Sequence, residues 1–220
     1  MTPASIAPLL VPYAQHSSMF PDPLLSQLSV YLDLLLRWNA RTNLTAIRAP
    51  EEIVSRHFGE SLFAARKILS AVSTPAANPS TLADIGSGAG FPGIPIKLWS
   101  MQIKSPLHVS LIESHHKKAT FLREAIRTLQ LSEIDVQATR AEQVSQRFNV
   151  VTLRAVERFA DILPTAASLV QPKGYIALLI GDDQIATSRA LLPTFKWDEP
   201  APIPNSQRRV LLLGQAPEGT

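Results

Sequence analysis

Along this chain the hydrophobic positions change period near residue 80. Leu24, Leu25, Leu28, Leu32, Leu35 and Leu36 recur at helical spacing behind Pro21, Asp22 and Pro23, which predicts a core-packing helix over Leu24 to Trp38. The next stretch, Trp38 to Arg48 (W-N-A-R-T-N-L-T-A-I-R), is dense in hydrogen-bonding side chains and predicts a loop. A helical pattern resumes over Glu51 to Leu69 and carries Arg56, His57 and Glu60 close together. Ala71 to Ser80, rich in alanine, serine and proline, reads as a connection. From Thr81 onward, short apolar runs at 81–85, 107–112, 134–138, 148–153 and 174–180 alternate with helix candidates at 92–101, 114–130, 140–147 and 158–170. Such alternation predicts a mainly parallel sheet with helices on both faces. Phe195 to Trp197 and Arg209 to Leu213 are two further strand candidates that could close the sheet in antiparallel fashion. The expected division is a helical appendage over 1–75 and a sheet domain over 76–220.

The most informative stretch is L-A-D-I-G-S-G-A-G-F-P-G, Leu82 to Gly93, where a strand breaks into a loop holding Gly86, Gly88, Gly90 and Gly93. Glycine admits positive φ and lets a ligand lie against bare backbone. Pro92 fits the first turn of a helix, and Ile94, Ile96, Leu98 and Trp99 continue the apolar pattern. Strand, glycine loop and helix make a nucleotide-type binding turn at the carboxyl end of a first parallel strand. Two registers are open. Gly88, Gly90 and Gly93 satisfy the dinucleotide fingerprint G-x-G-x-x-G, but that register would push Asp84, Gly86 and Ser87 into the strand. With Gly86 first, the pattern is an acidic residue, one apolar residue and G-x-G-x-G, which resembles the cofactor loop of S-adenosylmethionine (SAM) methyltransferases. A sulfonium and an ammonium make a carboxylate such as Asp84 electrostatically sensible nearby, whereas a pyrophosphate favours helix-terminal N–H groups. Glu113, at the end of the next apolar run, can accept hydrogen bonds from ribose hydroxyls. Dinucleotide sites use the same device, so Glu113 indicates a nucleoside without naming the cofactor.

Three later places face the same edge of such a sheet: Thr139 to Glu142 after the third strand, Arg154 at the end of the fourth, and Gly181 with Asp182 and Asp183 after the fifth. Many SAM enzymes acting on exocyclic amino groups carry an Asp- or Asn-Pro-Pro-aromatic motif at the position of Arg154. This chain has L-R-A-V there, which suits a ring nitrogen with its own lone pair as target. Pairing of Arg154 with a helix-terminal carboxylate is the structural alternative.

Composition adds bounds. With 220 residues, 45% hydrophobic, the chain can bury a proper core. A net charge of +3 permits an anionic partner without demanding one. There are no cysteines, which excludes a disulfide framework, a thiolate zinc site and the cysteine adduct usual in methylation at C5 of a pyrimidine. The first ten residues lack the basic start of a secretion signal, and no apolar run reaches membrane-spanning length, so a soluble, cytoplasmic protein is expected. The adjacent His115 and His116 have no carboxylate or cysteine partners at ligand spacing, and no metal is expected.

Several ordered motifs then converge. Trp38, Asn39, Asn43, Leu44 and Thr45 (W-N-x-x-x-N-L-T), Arg56–His57, D-I-G-S-G-A-G-F-P-G-I-P at 84–95, E-S-x-x-K-K-x-x-F-L at 113–122, R-A-E at 140–142 and R-A-V at 154–156 together resemble the bacterial ribosomal RNA small subunit methyltransferase G family, also called glucose-inhibited division protein B. The resemblance implies a Rossmann-like SAM-dependent methyltransferase fold with a seven-stranded sheet. It also implies methylation at N7 of one guanine (the guanine-527 class) in 16S ribosomal RNA, with S-adenosylhomocysteine as the second product. Cofactor contacts are implied for Gly86, Phe91, Ala141, Glu142 and Arg154, joined by Asp84, Gly88 and Glu113 from the residue-level argument. RNA contacts are expected from Asn43, Arg56, His57 and Arg209, on the naked RNA or the small ribosomal subunit, with the protein as a monomer. Glu60 stands where the family commonly has Asp, and Ile180 where it usually has Lys.

Guanine N7 is an unprotonated acceptor, so it can attack a methyl carbon without a general base, and no catalytic acid or base is assigned. A SAM enzyme acting on a small molecule is the first alternative. An NAD-linked oxidoreductase, which would need a proton-relay residue, and a non-catalytic RNA-binding protein are the others.

Overall fold

The apolar runs beyond residue 80 become strands because their residues alternate between two packed faces. The computed structural model describes residues 1–14, 20–72, 80–155 and 158–218. Strands β1 (Ser80–Ile85), β2 (Leu107–Ile112), β3 (Ile134–Gln137), β4 (Phe148–Arg154) and β5 (Val170–Gly181) pair in parallel in the order β3-β2-β1-β4-β5. β8 (Arg209–Gln215) pairs antiparallel with β5, and the two-residue strands β6 (Lys196–Trp197) and β7 (Ala201–Pro202) both pair with β8. Along β5, Ala177 and Leu179 belong to one core cluster and Ile176, Leu178 and Ile180 to the other. β8 repeats the alternation with Leu211 and Leu213 against Val210 and Leu212. A strand buried on both faces reads as a continuous apolar run, which is how β5 and β8 look in the sequence.

Helices cover both faces. α2 (Asp22–Asn39), α5 (Gly93–Gln102) and α6 (His116–Thr128) contribute to the first cluster, and α7 (Phe159–Ser168) to the second. α3 (Pro50–Glu52) runs through a π-helical segment, Ile53–Gly59, into α4 (Glu60–Val72). The apolar residues of α2 and α4 continue in one cluster with Leu82, Val109 and Leu111 of the sheet. The expected connection over Ala71 to Ser80, and the boundary at 75/76, fall largely on residues 73–79, outside the described residues.

Two expectations are corrected, and two helices appear where none was expected. The helix expected over 140–147 is a single 3-10 turn, Ala141–Gln143, because Gln143, Ser145, Gln146 and Arg147 offer no apolar face to dock and so short a segment cannot nucleate alone. α1 (Pro3–Leu10) was not expected; it starts at Thr2, whose hydroxyl accepts from the Ser5 amide at 3.3 Å, and it buries Ile6 and Leu10 one turn apart. α8 (Ile185–Leu191), just beyond Gly181, Asp182 and Asp183, was likewise not expected. The sheet has eight strands rather than seven, the addition being β7, too short to leave a periodic signal.

The glycine loop is fixed from the helical side by Tyr31 of α2. Its fully buried hydroxyl donates a hydrogen bond to the Ala89 carbonyl, and its ring stacks on Phe58 (5.3 Å) and Phe91 (5.5 Å). Gly90 lies at φ +87°, and a Cβ there would stand 2.6 Å from the Tyr31 hydroxyl and 2.6 Å from Ile94 Cδ1. Tyr31→Phe removes the donor and leaves a buried carbonyl unpaired. Urea unfolding of that variant should show a loss of about 1–3 kcal/mol. An unchanged midpoint would mean that the loop carbonyl has another partner.

Candidate functional site

β1 is the switch point of the sheet, since β2 and β3 lie to one side of it and β4 and β5 to the other. In open α/β sheets ligands bind beyond the carboxyl ends of the strands at such a point. A cavity of about 600 Å³ opens there, with Ile85 and Gly86 from the end of β1, Ile112 and Glu113 from β2, Thr139 to Glu142 after β3, and Ala155 and Arg158 after β4 on its walls. Its size suits a nucleoside-class ligand.

The loop that leaves β1 at Gly86, on the cavity's edge, consists mostly of backbone, and two carboxylates hold it. Gly86, Gly88 and Gly90 all take positive φ. Glu113 Oε2 accepts from the Gly88 amide at 2.9 Å, and Oε1 accepts from the His115 amide at 2.7 Å, so Glu113 joins the loop to the start of α6. Each oxygen retains acceptor capacity for a hydroxyl. Asp84 is placed differently from the expectation that it faces a cationic cofactor. Its carboxylate is fully buried, accepts from Thr152 Oγ1 (2.8 Å) and from the Gly93 amide at the start of α5 (3.1 Å), and does not line the cavity. Burial raises its pKa to about 6 against the pull of those hydrogen bonds. Asp84 therefore shapes the loop through β4 and α5.

Of the expected cofactor residues, Gly86, Glu113, Ala141 and Glu142 line the cavity together. Gly88 lies off the wall, and its backbone N–H donates a hydrogen bond to Glu113. Phe91 and Arg154 lie outside that wall. Phe91 is buried between Tyr31 and the His57 ring, which stacks on it at 4.7 Å. Arg154, with a side chain 8% exposed, turns away from the cavity towards the helices. Its Nη2 reaches Glu60 Oε2 (3.0 Å), the Arg56 carbonyl (2.6 Å) and His57 Nδ1 (3.2 Å), while Nη1 reaches Ser61 Oγ (3.2 Å). Glu60 is also ion-paired with Arg209, through its other oxygen. Burial raises the Glu60 pKa, and the guanidiniums of Arg154 and Arg209 pull it back down. The carboxylate pairing considered for Arg154 is thus present, with a partner from α4. Val156 of the R-A-V motif lies outside the described residues.

A second cavity, about 250 Å³, adjoins the first and shares Ala155 with it. Leu153, Phe159, Leu179 and Ile180 give it apolar walls, and Arg56 and Arg209 give it a cationic rim. Ala155 and Arg158, which flank the boundary, both take left-handed backbone (φ +48° and +54°), uncommon for residues with a Cβ. Of the expected RNA contacts, Arg56 and Arg209 therefore come together here. His57 lies beneath them with its Nε2 2.8 Å from Thr45 Oγ1, and the exposed Asn43 is apart, accepting from Arg48 Nη2 at 2.7 Å. Sequence reasoning missed Ser114, His115, Arg158, Asp161 and Ile162 as wall residues. Their signal was position alone, just past the ends of β2 and β4.

The family model described as rRNA small subunit methyltransferase G matches residues 24–194. A ribosomal RNA small subunit methyltransferase G of Xanthomonas campestris pv. campestris (strain B100) is 40% identical over 164 residues, covering 74% of this chain and 69% of that protein. One from Roseiflexus sp. (strain RS-1) is 37% identical over 202 residues, covering 86% and 82%. Among solved structures, magnesium protoporphyrin IX methyltransferase from Synechocystis PCC 6803, with bound SAM, superposes with a TM-score of 0.61 at 12% identity, covering 84% of this chain and 97% of that one. At that identity the likeness establishes the fold alone.

His57 provides a pH test. Because Arg154 donates to Nδ1, that nitrogen is the acceptor and Nε2 carries the proton given to Thr45. Burial, then Arg154, Arg56 and Arg209, lower its pKa to about 3. The unfolded chain takes up this proton below the ordinary value near 6.5 while the folded chain refuses it. Stability from this group is therefore complete above about pH 6.5 and is lost as pH falls towards 3, about 2 kcal/mol of it by pH 5. Nitrogen-15 NMR should show His57 neutral and Nε2-protonated down to pH 5. An imidazole titrating near 6.5 would contradict the buried arrangement.

Proposed function

The chain belongs to the ribosomal RNA small subunit methyltransferase G family, and on that premise we propose that it transfers a methyl group from SAM to N7 of a guanine in 16S ribosomal RNA. The observation that carries this reading is the pair of adjoining cavities: a nucleoside-sized one at the switch point and a base-sized one with apolar walls and an arginine rim, separated by Ala155.

The residues present fit SAM. Gly86 offers backbone that a ligand can approach without meeting a Cβ, Glu113 offers acceptors for ribose hydroxyls, and Ala141 with Glu142 offers a backbone and carboxylate edge for adenine. When bound, SAM supplies an electrophilic methyl group on a sulfonium. Leu153, Phe159, Leu179 and Ile180 would exclude water from the base faces. Guanine N7 brings its own lone pair, so the protein has no proton to remove before the new carbon–nitrogen bond forms and the carbon–sulfur bond breaks. Positive charge passes from sulfur to the purine, and the total charge of the site does not change. The protein's contribution is alignment, an effect that can reach on the order of 7–11 kcal/mol. The buried Asp84, Glu60 and neutral His57 serve this alignment by fixing loop and helix positions.

Arg56 and Arg209 also favour a polyanionic substrate, so RNA affinity should fall steeply with salt. Among the described residues no helix is long and apolar enough to cross a membrane.

The test is transfer of labelled methyl to 16S ribosomal RNA and to small subunits from cells lacking this chain, with the product mapped by cleavage at N7-methylguanine. Incorporation at one guanine is expected. Glu142→Ala should raise the SAM dissociation constant about 10-fold or more with the fold intact, as loss of one charged hydrogen bond of about 1.5–3 kcal/mol implies. Tight SAM binding with no incorporation into either RNA or subunits, but methylation of a free metabolite, would point to a small-molecule enzyme.

A further inference from the structure

The second cavity holds a donor whose geometry fits one base and not another. Arg209 opens β8 directly opposite Gly181, the last residue of β5, and lines the cavity there. Two of its three guanidinium nitrogens are committed: Nη2 to Glu60, and Nε to Ser206 Oγ at 3.2 Å. Nη1 has no hydrogen-bond partner among the described residues. Glu60, buried and held on its other oxygen by Arg154, cannot turn to follow a moving partner, so it fixes the direction of the fork. Arg56, the other cation on the rim, is 44% exposed and already paired with Glu52 at 3.1 Å, which makes it a weaker candidate for reading a base edge.

Guanine presents two adjacent acceptors on its Hoogsteen edge, N7 and O6, whereas adenine presents N7 beside an N6 amino donor. Methyl transfer requires the N7 lone pair to remain unpaired, so on this edge discrimination falls to the neighbouring atom. A guanidinium carries donors only and would meet an amino group unfavourably.

We propose that Arg209 is the base-selecting residue of the acceptor cavity, its Nη1 donating to guanine O6, and that Glu60 is the positioning residue that aims it. This rests on the reading of the cavity as the methyl-acceptor site. It assigns to Ser206 and Glu60 the task of holding Nε and Nη2 so that Nη1 is presented to the base, and it leaves N7 facing the Ala155 boundary.

The experiment uses 16S ribosomal RNA assembled by splinted ligation with guanosine, inosine or 2-aminopurine at the target position. Inosine keeps O6 and the N1 proton and lacks the 2-amino group; 2-aminopurine keeps N7 and the 2-amino group and lacks O6 together with the N1 proton, and the Arg209 variants separate the two losses. For the wild-type chain, kcat/KM for guanosine and inosine should agree within about threefold, and 2-aminopurine should be roughly 10- to 100-fold poorer. Arg209→Gln should lower guanosine and inosine by about that factor while leaving 2-aminopurine nearly unchanged, so that the discrimination collapses, which is the coupling between residue and atom that a double-substitution cycle reads. Arg209→Lys keeps the charge without the planar fork and should retain RNA affinity yet lose most of the discrimination. Glu60→Gln should reduce discrimination in the same direction with an unchanged SAM dissociation constant, and Glu60→Asp should restore part of it. The proposal is overturned if the wild-type chain uses 2-aminopurine as well as guanosine, a result that needs no variant, or if Arg209→Gln lowers all three substrates in equal proportion. Absence of transfer to any of the three by the wild-type chain contradicts the acceptor reading itself, and the proposal with it.

Discussion

The site depends on two carboxylates that hold in place a loop with almost no side chains of its own. Glycines at positive φ give the loop between β1 and α5 its shape, and the same freedom would let it collapse or wander. Asp84 fastens its far end by accepting from the Gly93 amide, and Glu113 fastens its middle by accepting from the Gly88 amide. Tyr31 closes it from above. Each of the three comes from a different element, so the loop is a product of the assembled fold and would not persist alone. The cost is visible at Asp84, whose burial raises its pKa to about 6 while neighbouring donors resist the rise.

A second set of buried charges ties the helical N-terminal part to the sheet. Arg154 leaves the end of β4 and binds carbonyls of the π-helical segment, and Glu60 joins it to Arg209 at the start of β8. Replacing a buried ionic cluster with apolar groups is often no less stable, so its presence argues for geometry over stability. The geometry it supplies is the cationic rim of the second cavity, formed by Arg56 and Arg209. Stacking of His57 on Phe91 links this cluster to the glycine loop.

Much of this was legible in the sequence, for identifiable reasons. The five parallel strands are apolar runs flanked by turn residues, and their expected bounds differ by a few residues at most. The larger cavity was legible as a place because glycines and strand-end residues past β1, β2 and β3 share one edge of such a sheet, and Gly86, Glu113, Ala141 and Glu142 line it together. What stayed hidden was the direction of side chains. Asp84 and Arg154 both occupy strand ends as expected, yet one points into the sheet interior and the other towards the helices, and no local pattern records that choice. The pairing of Glu60 with Arg154 and Arg209 spans 94 residues in its Arg154 arm and was invisible for the same reason. The helix that alternation predicts over 140–147 is only a 3-10 turn at Ala141–Gln143, because the segment lacks an apolar face.

The most direct test of the two-cavity account is a crystal structure of the chain with S-adenosylhomocysteine. The account predicts the ribose against Glu113, the adenine beside Ala141 and Glu142, and the sulfur directed past Ala155 towards the smaller cavity rimmed by Arg56 and Arg209. Density for the ligand elsewhere, or with its sulfur turned away from Ala155, would contradict it.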